Sequence, residues 1–368
     1  MAISSKLKTL ILLLVLGAPL ASAELLSLER DGASEIMARI KATMNAQAAQ
    51  DGSLVASEFS YQADGVEHIV NVTEPLPSRV LVDGEASGIS LYRAQVNAQS
   101  AVLVMVWDDD DMMLSYHGDD EKRSIYEVAF SGNTAEKRKM EPEHPADHQG
   151  EGHAIDAELD VPEEFQPTQA EMSAAAVSGS SQPIRVYVFK HNDVKESIDS
   201  LIHEHFAWWV KQMDSINKRH MAQGNNALYS EIVVDFRTDK GIQSFNYKGN
   251  SSERLKELAK LMKAYKNSNV LGGSYKRTKF LLMTEKMINY KTLGVAYVGG
   301  QYGIAADDDD QVAAHELGHM FNGRHENADI IYNGWWCETI LYWQHVPFRS
   351  SCHRYTDANK DTITNYLR

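Results

Sequence analysis

The stretch HELGHMFNGRHE, residues 315 to 326, constrains this chain more than any other. It places three histidines and a glutamate within eleven residues of a sequence that holds only 14 histidines in 368. An α-helix turns once in 3.6 residues, so positions i and i+4 lie about 40° apart and two imidazoles there can converge on one point. His315 and His319 have that spacing. His325, six residues further on, would face away from them on a continued helix, so the helix must break in between. The break is expected at Asn322-Gly323, because glycine, and next to it asparagine, accepts the left-handed conformation at a helix C-terminus and lets the chain turn back.

Three neutral imidazoles with one position left open are the ligand set of a catalytic zinc site, whereas structural zinc sites are closed and usually rich in cysteine. His315, His319 and His325 are therefore expected to hold one Zn2+. Glu316 is rotated about 100° from His315. It can stand over the open position and take a proton from water there, which makes it the expected general base. A bare HExxH also arises on ordinary amphipathic helices. The third histidine, the breaker before it and the signs of export favour a metal site here.

Those signs begin at the N-terminus. Lys6 and Lys8 precede the apolar run Leu10 to Leu16, followed by Gly17, Pro19 and the small-residue site Ala21-Ser22-Ala23. This reads as a cleaved signal peptide over residues 1–23 and predicts a secreted or periplasmic protein. No later stretch approaches the roughly 20 apolar residues of a membrane span, so no transmembrane segment is expected. The only cysteines are Cys337 and Cys352. In an oxidising compartment they are expected to pair, closing a loop worth about 3 kcal/mol. With no cysteine upstream, no thiolate from a pro-segment could block the metal.

Charge divides the chain. Residues 24–182 carry 30 Asp+Glu against 10 Lys+Arg, and residues 183–368 carry 21 against 24. This suggests two units with different roles, or an acidity that only keeps an exported domain soluble. No nucleic-acid partner is expected of a chain with net charge −15. Residues 141–183 are rich in Pro, Gly, Ser, Ala and acid and lack a period, so they read as a linker with a processing site near SGSSQP. His144, His148 and His153 within it do not fit one helical face and read as solvated loop histidines.

Residues 24–140 read as a mostly β unit: a helix over ASEIMARIKATMNAQ, then strands HIVNVTE, SRVLVDG, SLYRAQV, AVLVMVW, MMLSYH and SIYEVAF. Beyond the linker the period alternates. IRVYVF, EIVVDFR, KFLLMTE and LGVAYVG read as strands, and residues 194–222 and 251–267 as helices. The expected fold class is α+β, with a mixed twisted sheet carrying the metal helix. His203 and His205 cannot share a helical face and read as surface or internally satisfied histidines. Asp307 to Asp310 read as caps on the N-terminus of the metal helix. Asp108 to Asp111 read as a solvated turn. Calcium is a secondary possibility at such acidic runs, though DANKDTITN, residues 357 to 365, lacks the glycine and terminal glutamate of a calcium loop.

On these residues the second half, about 184–368, resembles the metzincin zinc peptidases, closest to the reprolysin-like branch. The family pattern HExxHxxGxxH is matched at His315, Glu316, His319 and His325, with Asn322 where the family has glycine. GVAYVGG, residues 294–300, resembles the strand that runs antiparallel to bound substrate. CETILYW, residues 337–343, resembles the Met-turn, with Leu341 in place of methionine, and RYTDAN, residues 354–359, resembles the segment after it. The resemblance implies a secreted endopeptidase acting on protein or peptide substrates. Three histidines would hold zinc, and a glutamate would activate water and pass its proton to the leaving amine. Some relatives carry a tyrosine two residues after the methionine; here that position is Trp343, with Tyr342 one earlier.

Two other readings stay open. A gluzincin-like site would take Glu338 as third ligand, against which Asn322-Gly323 argues. An inactive zinc-binding or adhesive module would not need Glu316. The acidic N-terminal unit is expected to be a pro-domain that restrains the peptidase, and Tyr116-His117-Gly118-Asp119 resembles the aspartate latch of the astacin branch.

Overall fold

A computed structural model describes residues 26–49, 57–118, 125–140, 158–169, 171, 182–332, 335–343 and 349–368. The signal-peptide reading, His144, His148, His153 and Asp119 lie outside the described residues.

The N-terminal part is built on helix Leu28–Ala49, whose Ile36, Met37, Ile40 and Met44 recur at helical spacing and are buried. They pack on an eight-stranded sheet in which strands Ser57–Ala63, Val66–Pro75, Ile89–Val96, Gln99–Val106, Asp111–His117, Ile125–Ser131 and Thr134–Met140 follow one another antiparallel. Strand Gln99–Val106 has no polar face. Ala101, Leu103 and Met105 face the N-terminal helix, while Val102 and Val104 join the apolar core around Trp208 and Trp209. A strand buried on both faces reads as a continuous apolar run, as AVLVMV does.

The second sheet also has eight strands. Its order is Leu159–Asp160, Gly294–Val298, Tyr302–Ala306, Thr278–Thr284, Ile184–Lys190, Ile232–Phe236, Ser78–Val82 and Glu85–Ala86. The four strands from Tyr302–Ala306 to Ile232–Phe236 are parallel to one another, and Gly294–Val298 runs antiparallel to Tyr302–Ala306. Alternate residues serve opposite layers: Val186, Val188, Leu281 and Met283 face the helix Ala207–Ala222, and Tyr187, Phe189, Phe280 and Leu282 face helix Ser251–Ser268. Both outer positions are filled from upstream of residue 182. Hairpin 78–86 of the N-terminal part pairs with Ile232–Phe236, and Leu159–Asp160 of the expected linker pairs parallel with Tyr297 and Val298.

Two sequence readings change here. The helix expected over 194–222 begins at Ile198 and widens into a π-turn at Ile202–Phe206, which carries His203 and His205. Neither histidine is on the surface: His203 meets Ser115 Oγ at 2.7 Å across the sheet, and His205 pairs with Asp307. The run Asp307 to Asp310 does less capping than expected, because Asp307 and Asp310 pair with the buried histidines His205 and His353, leaving Asp309 as the cap-like acceptor. Asp310 Oδ2 lies 2.8 Å from His353 Nε2, and Asp309 accepts from Gln311 N, just ahead of the metal helix. Asp108 to Asp110 form an exposed turn as read, and residues 357–367 are helical, from Thr356 as N-cap.

Candidate metal centre

Helix Val312–Met320 is buried at every position and lies against strands Gly294–Val298 and Tyr302–Ala306. It ends in a Schellman motif: Gly323 N donates to Gly318 O at 2.8 Å and Asn322 N to His319 O at 2.7 Å. Asn322, with φ 69°, takes the left-handed conformation. Gly323 has a different role, since a Cβ there would fall 2.5 Å from Leu341 Cδ1 and 2.9 Å from Gly318 O.

The turn brings His325 back. Its Nε2 lies 3.1 Å from that of His315 and 3.0 Å from that of His319, which are themselves 3.0 Å apart. Asn359 holds the returning strand: its Oδ1 accepts from Arg324 N at 2.9 Å and its Nδ2 donates to Arg324 O at 3.1 Å.

The ring tautomers follow from the far nitrogens. His315 Nδ1 faces Ile340 O at 2.6 Å and His319 Nδ1 faces Gly323 O at 2.9 Å. A carbonyl only accepts, so each Nδ1 carries the proton and each Nε2 presents a lone pair. Lone pairs converging at such distances repel unless a cation lies among them. The donor set therefore suits a divalent metal, for which a tetrahedral zinc bound at about 2.0–2.1 Å needs nitrogens roughly 3.3 Å apart. These three are the one group of metal-capable side chains found among the described residues. Glu338, the alternative third ligand, instead pairs with Arg349 at 3.2 Å.

Glu316 is fully buried and points at the edge strand. A Cβ on Gly294 would stand 2.3 Å from its Oε1 and 2.8 Å from its Cγ and Cδ. Leu341 lies beneath the helix, fully buried, filling the space left by the missing side chains of Gly318 and Gly323. Tyr355 supports the same turn by donating to Ala314 O at 2.6 Å; burial raises its phenol well above the ordinary range, so it stays a donor. Cys337 and Cys352 are joined as expected, holding segment 337–343 to the chain at 350–353. Trp343 is 46 % exposed, and the Tyr342 ring lies beside the Arg349 guanidinium. His117 does not join the histidine triad: it stacks edge-on against Trp208 and His353.

No protein-family model matches the chain, nor does any curated protein. Among solved structures it is similar to metalloproteinase-II from Bacteroides fragilis, with a TM-score of 0.58 at 9 % identity over 93 % of this chain and 98 % of that one. The two share a fold. That likeness extends over nearly the whole length of each chain.

Three contributors escape sequence reading. Gly294 could have been flagged as a glycine inside a strand, a sign of close approach. Lys279, fully buried on the central strand, donates to Gly300 O at 2.8 Å and to Met320 O at 2.7 Å, and so ties the end of the metal helix to the turn after the edge strand. Glu158 accepts from His325 N at 2.6 Å and from Arg324 Nη1 at 3.2 Å.

Proposed function

We propose that this chain is an exported zinc endopeptidase of metzincin type, made in a latent form. The observation that carries the reading is the triad of converging Nε2 atoms with Glu316 held beside it on the edge-strand side. His315, His319 and His325 would hold the ion. Zinc, when bound, supplies a Lewis acid that polarises a carbonyl and acidifies water. Glu316 takes the proton from the attacking water and delivers it to the leaving amine nitrogen. The edge strand Gly294–Val298 offers its backbone to an extended peptide, as in other recognition by strand addition.

Latency is supported by what covers that edge. Residues 159–160 pair with Tyr297 and Val298, where a substrate strand would lie, and Glu158 engages the backbone of the third histidine. Phe165 anchors this strap against Tyr297 and Tyr302, with ring centroids 5.8 and 5.6 Å away.

Two variants test the reading. Glu316→Gln should keep about one zinc per chain while hydrolysis of an internally quenched peptide falls at least about 100-fold. An unchanged rate would remove Glu316 from the chemistry. Phe165→Asp, which sets a carboxylate between two tyrosines, should unseat the strap and raise turnover of the uncut chain. If turnover stays level, the strap does not cause latency.

A further inference from the structure

Cutting a linker is usually taken to release what precedes it, but the contacts across this one are unequal. Downstream of residue 140, the strap holds the rest of the protein through a two-residue ladder, the half-buried Glu158, the buried Phe165 ring with Leu159 and Val161 beside it, and single hydrogen bonds from Lys266 Nζ to Glu171 at 2.8 Å, Lys263 Nζ to Glu164 O at 2.6 Å and Tyr275 Oη to Phe165 O at 3.2 Å. Upstream of residue 140, the attachment is of another order. Ser78–Val82 pairs with Ile232–Phe236 over five consecutive residues, so the second sheet runs without a seam into the N-terminal part. Leu76, Val80, Leu91, Val102, Val104 and Ile125 belong to the same apolar core as Trp208, Trp209, Ile232 and Val234.

Charged groups cross the same boundary, and two of them, Lys211 and Asp214, are buried there while Arg138 and Arg79 stay largely exposed. Lys211 Nζ donates to Ala101 O at 3.0 Å, and burial, aided by Arg93, holds its amine down to about 7. Arg93 Nη2 lies 2.5 Å from Asp214 Oδ2, whose side chain is 3 % exposed. Arg138 bridges Glu127 and Glu204 at 2.6 Å each, and Arg79 makes two hydrogen bonds to Glu231 at 2.8 and 2.6 Å. Departure of the N-terminal part would bare the edge of a fully buried strand, Ile232–Phe236, a face centred on two tryptophans, and the buried side chains of Lys211 and Asp214 at once. Such an interface resembles a domain core cut in two, the mark of an obligate partner.

We infer that residues up to about 140 remain bound to residues 182–368 after the linker is cut on both sides of the strap, and that the active species is a two-chain complex. Processing on this view excises the strap and leaves the N-terminal sheet as a structural subunit. The inference rests on the latency reading only for the purpose of the cuts; the persistence of the complex does not depend on any hydrolysis.

The test uses the full-length chain with one site-specific protease recognition sequence placed within 141–157 and another within 172–181. After both cuts, size-exclusion chromatography and native mass spectrometry should show the two large fragments together in one species and the strap peptide apart. The N-terminal fragment eluting alone in native buffer would overturn the inference, as would a C-terminal fragment that stays soluble and folded without it. Arg93→Met, compared in the cut protein, should raise the fragment dissociation constant at least about tenfold. No change on that substitution, with the fragments together only because the cut chain has aggregated, would equally count against it. Because elution is read without substrate, an inactive but cohesive complex would refute the peptidase proposal alone.

Discussion

Gly294→Ala isolates the placement of Glu316 from everything else in the site. The added methyl would fall 2.3 Å from Glu316 Oε1 and 2.8 Å from both Cδ and Cγ. Ordinary carbon–oxygen contact begins near 3.4 Å, so the carboxylate must retreat by about 1 Å. Rotation of the carboxylate alone cannot provide this, because Cγ is also too close. Strand Gly294–Val298 cannot yield either, being buried throughout and laddered to Tyr302–Ala306. The helix Val312–Met320 is buried at every residue, so the Glu316 side chain swings instead. A displacement of about 1 Å in a catalytic group costs on the order of 100-fold in rate. The histidines are not touched, so zinc content should be unchanged. The assay is kcat on a quenched peptide alongside metal stoichiometry and the thermal midpoint. If Gly294→Ala retains zinc, melts normally and turns over within about threefold of the parent, then Glu316 is not confined by the edge strand in the way its geometry indicates, and its role as base must be reassigned.

Three further expectations follow from the same site and its surroundings. Asn359→Leu leaves the part-buried Arg324 N and O without their side-chain partner, at up to about 1–3 kcal/mol each, and should weaken zinc binding about 10- to 100-fold; a metal titration with unaltered affinity would refute the role of Asn359 in holding His325. Leu341→Met should cost under about 1.5 kcal/mol with zinc retained, whereas Leu341→Asp should lose the metal or the fold, and a fully active Leu341→Asp would show that segment 337–343 does not lie under the site. His203 is held down to about 3 by burial first and then by the positive charges of Arg138 and His205, against an ordinary 6.5. Its folded value lies below its unfolded one, so the stability it contributes is present above pH 6.5 and is lost as pH falls toward 3, by up to about 1.4 kcal/mol per unit. Denaturant midpoints at about pH 7.5 and about pH 5 should fall further apart for the parent than for His203→Gln, and equal falls would refute the assignment.

The histidine-bearing helix and its break were legible because i, i+4 spacing and a following Asn-Gly are written in consecutive residues. Strands such as Ile184–Lys190 and Thr278–Thr284 were legible because burial on two faces writes an unbroken apolar run. Tyr302–Ala306 was missed: YGIAA has one β-branched residue, and at Gly303 Met320, Ala296 and Leu281 leave little room for a side chain, with a Cβ there falling 3.2–3.3 Å from them. Asp307 and Asp310 do not cap the helix that follows, since pairing of Asp307 with His205 and of Asp310 with His353 joins residues about 40 to 100 positions apart, which no local pattern encodes; Asp309, which accepts from Gln311 N, does act at its start. Glu158 was hidden for a related reason. It sits in a segment whose composition reads as a linker, and its partners Arg324 and His325 lie more than 160 residues away.

Asn322-Gly323 also bears on how this protein would age. Asparagine followed by glycine is the dipeptide most prone to lose ammonia, because the unhindered glycine amide nitrogen can attack the side-chain carbonyl and close a succinimide. In the folded chain that nitrogen donates to Gly318 O at 2.8 Å, and the left-handed φ of 69° at Asn322 belongs to the helix cap, so attack requires the cap to open. Opened chains have no such protection, and chemical damage to them makes unfolding irreversible. The isoaspartate that results would lengthen the backbone between His319 and His325, just where the spacing of the triad is set. Repeated mild heating should therefore erase zinc binding in step with deamidation at residue 322 in a peptide map. Loss of the metal with Asn322 intact would place the weak point elsewhere.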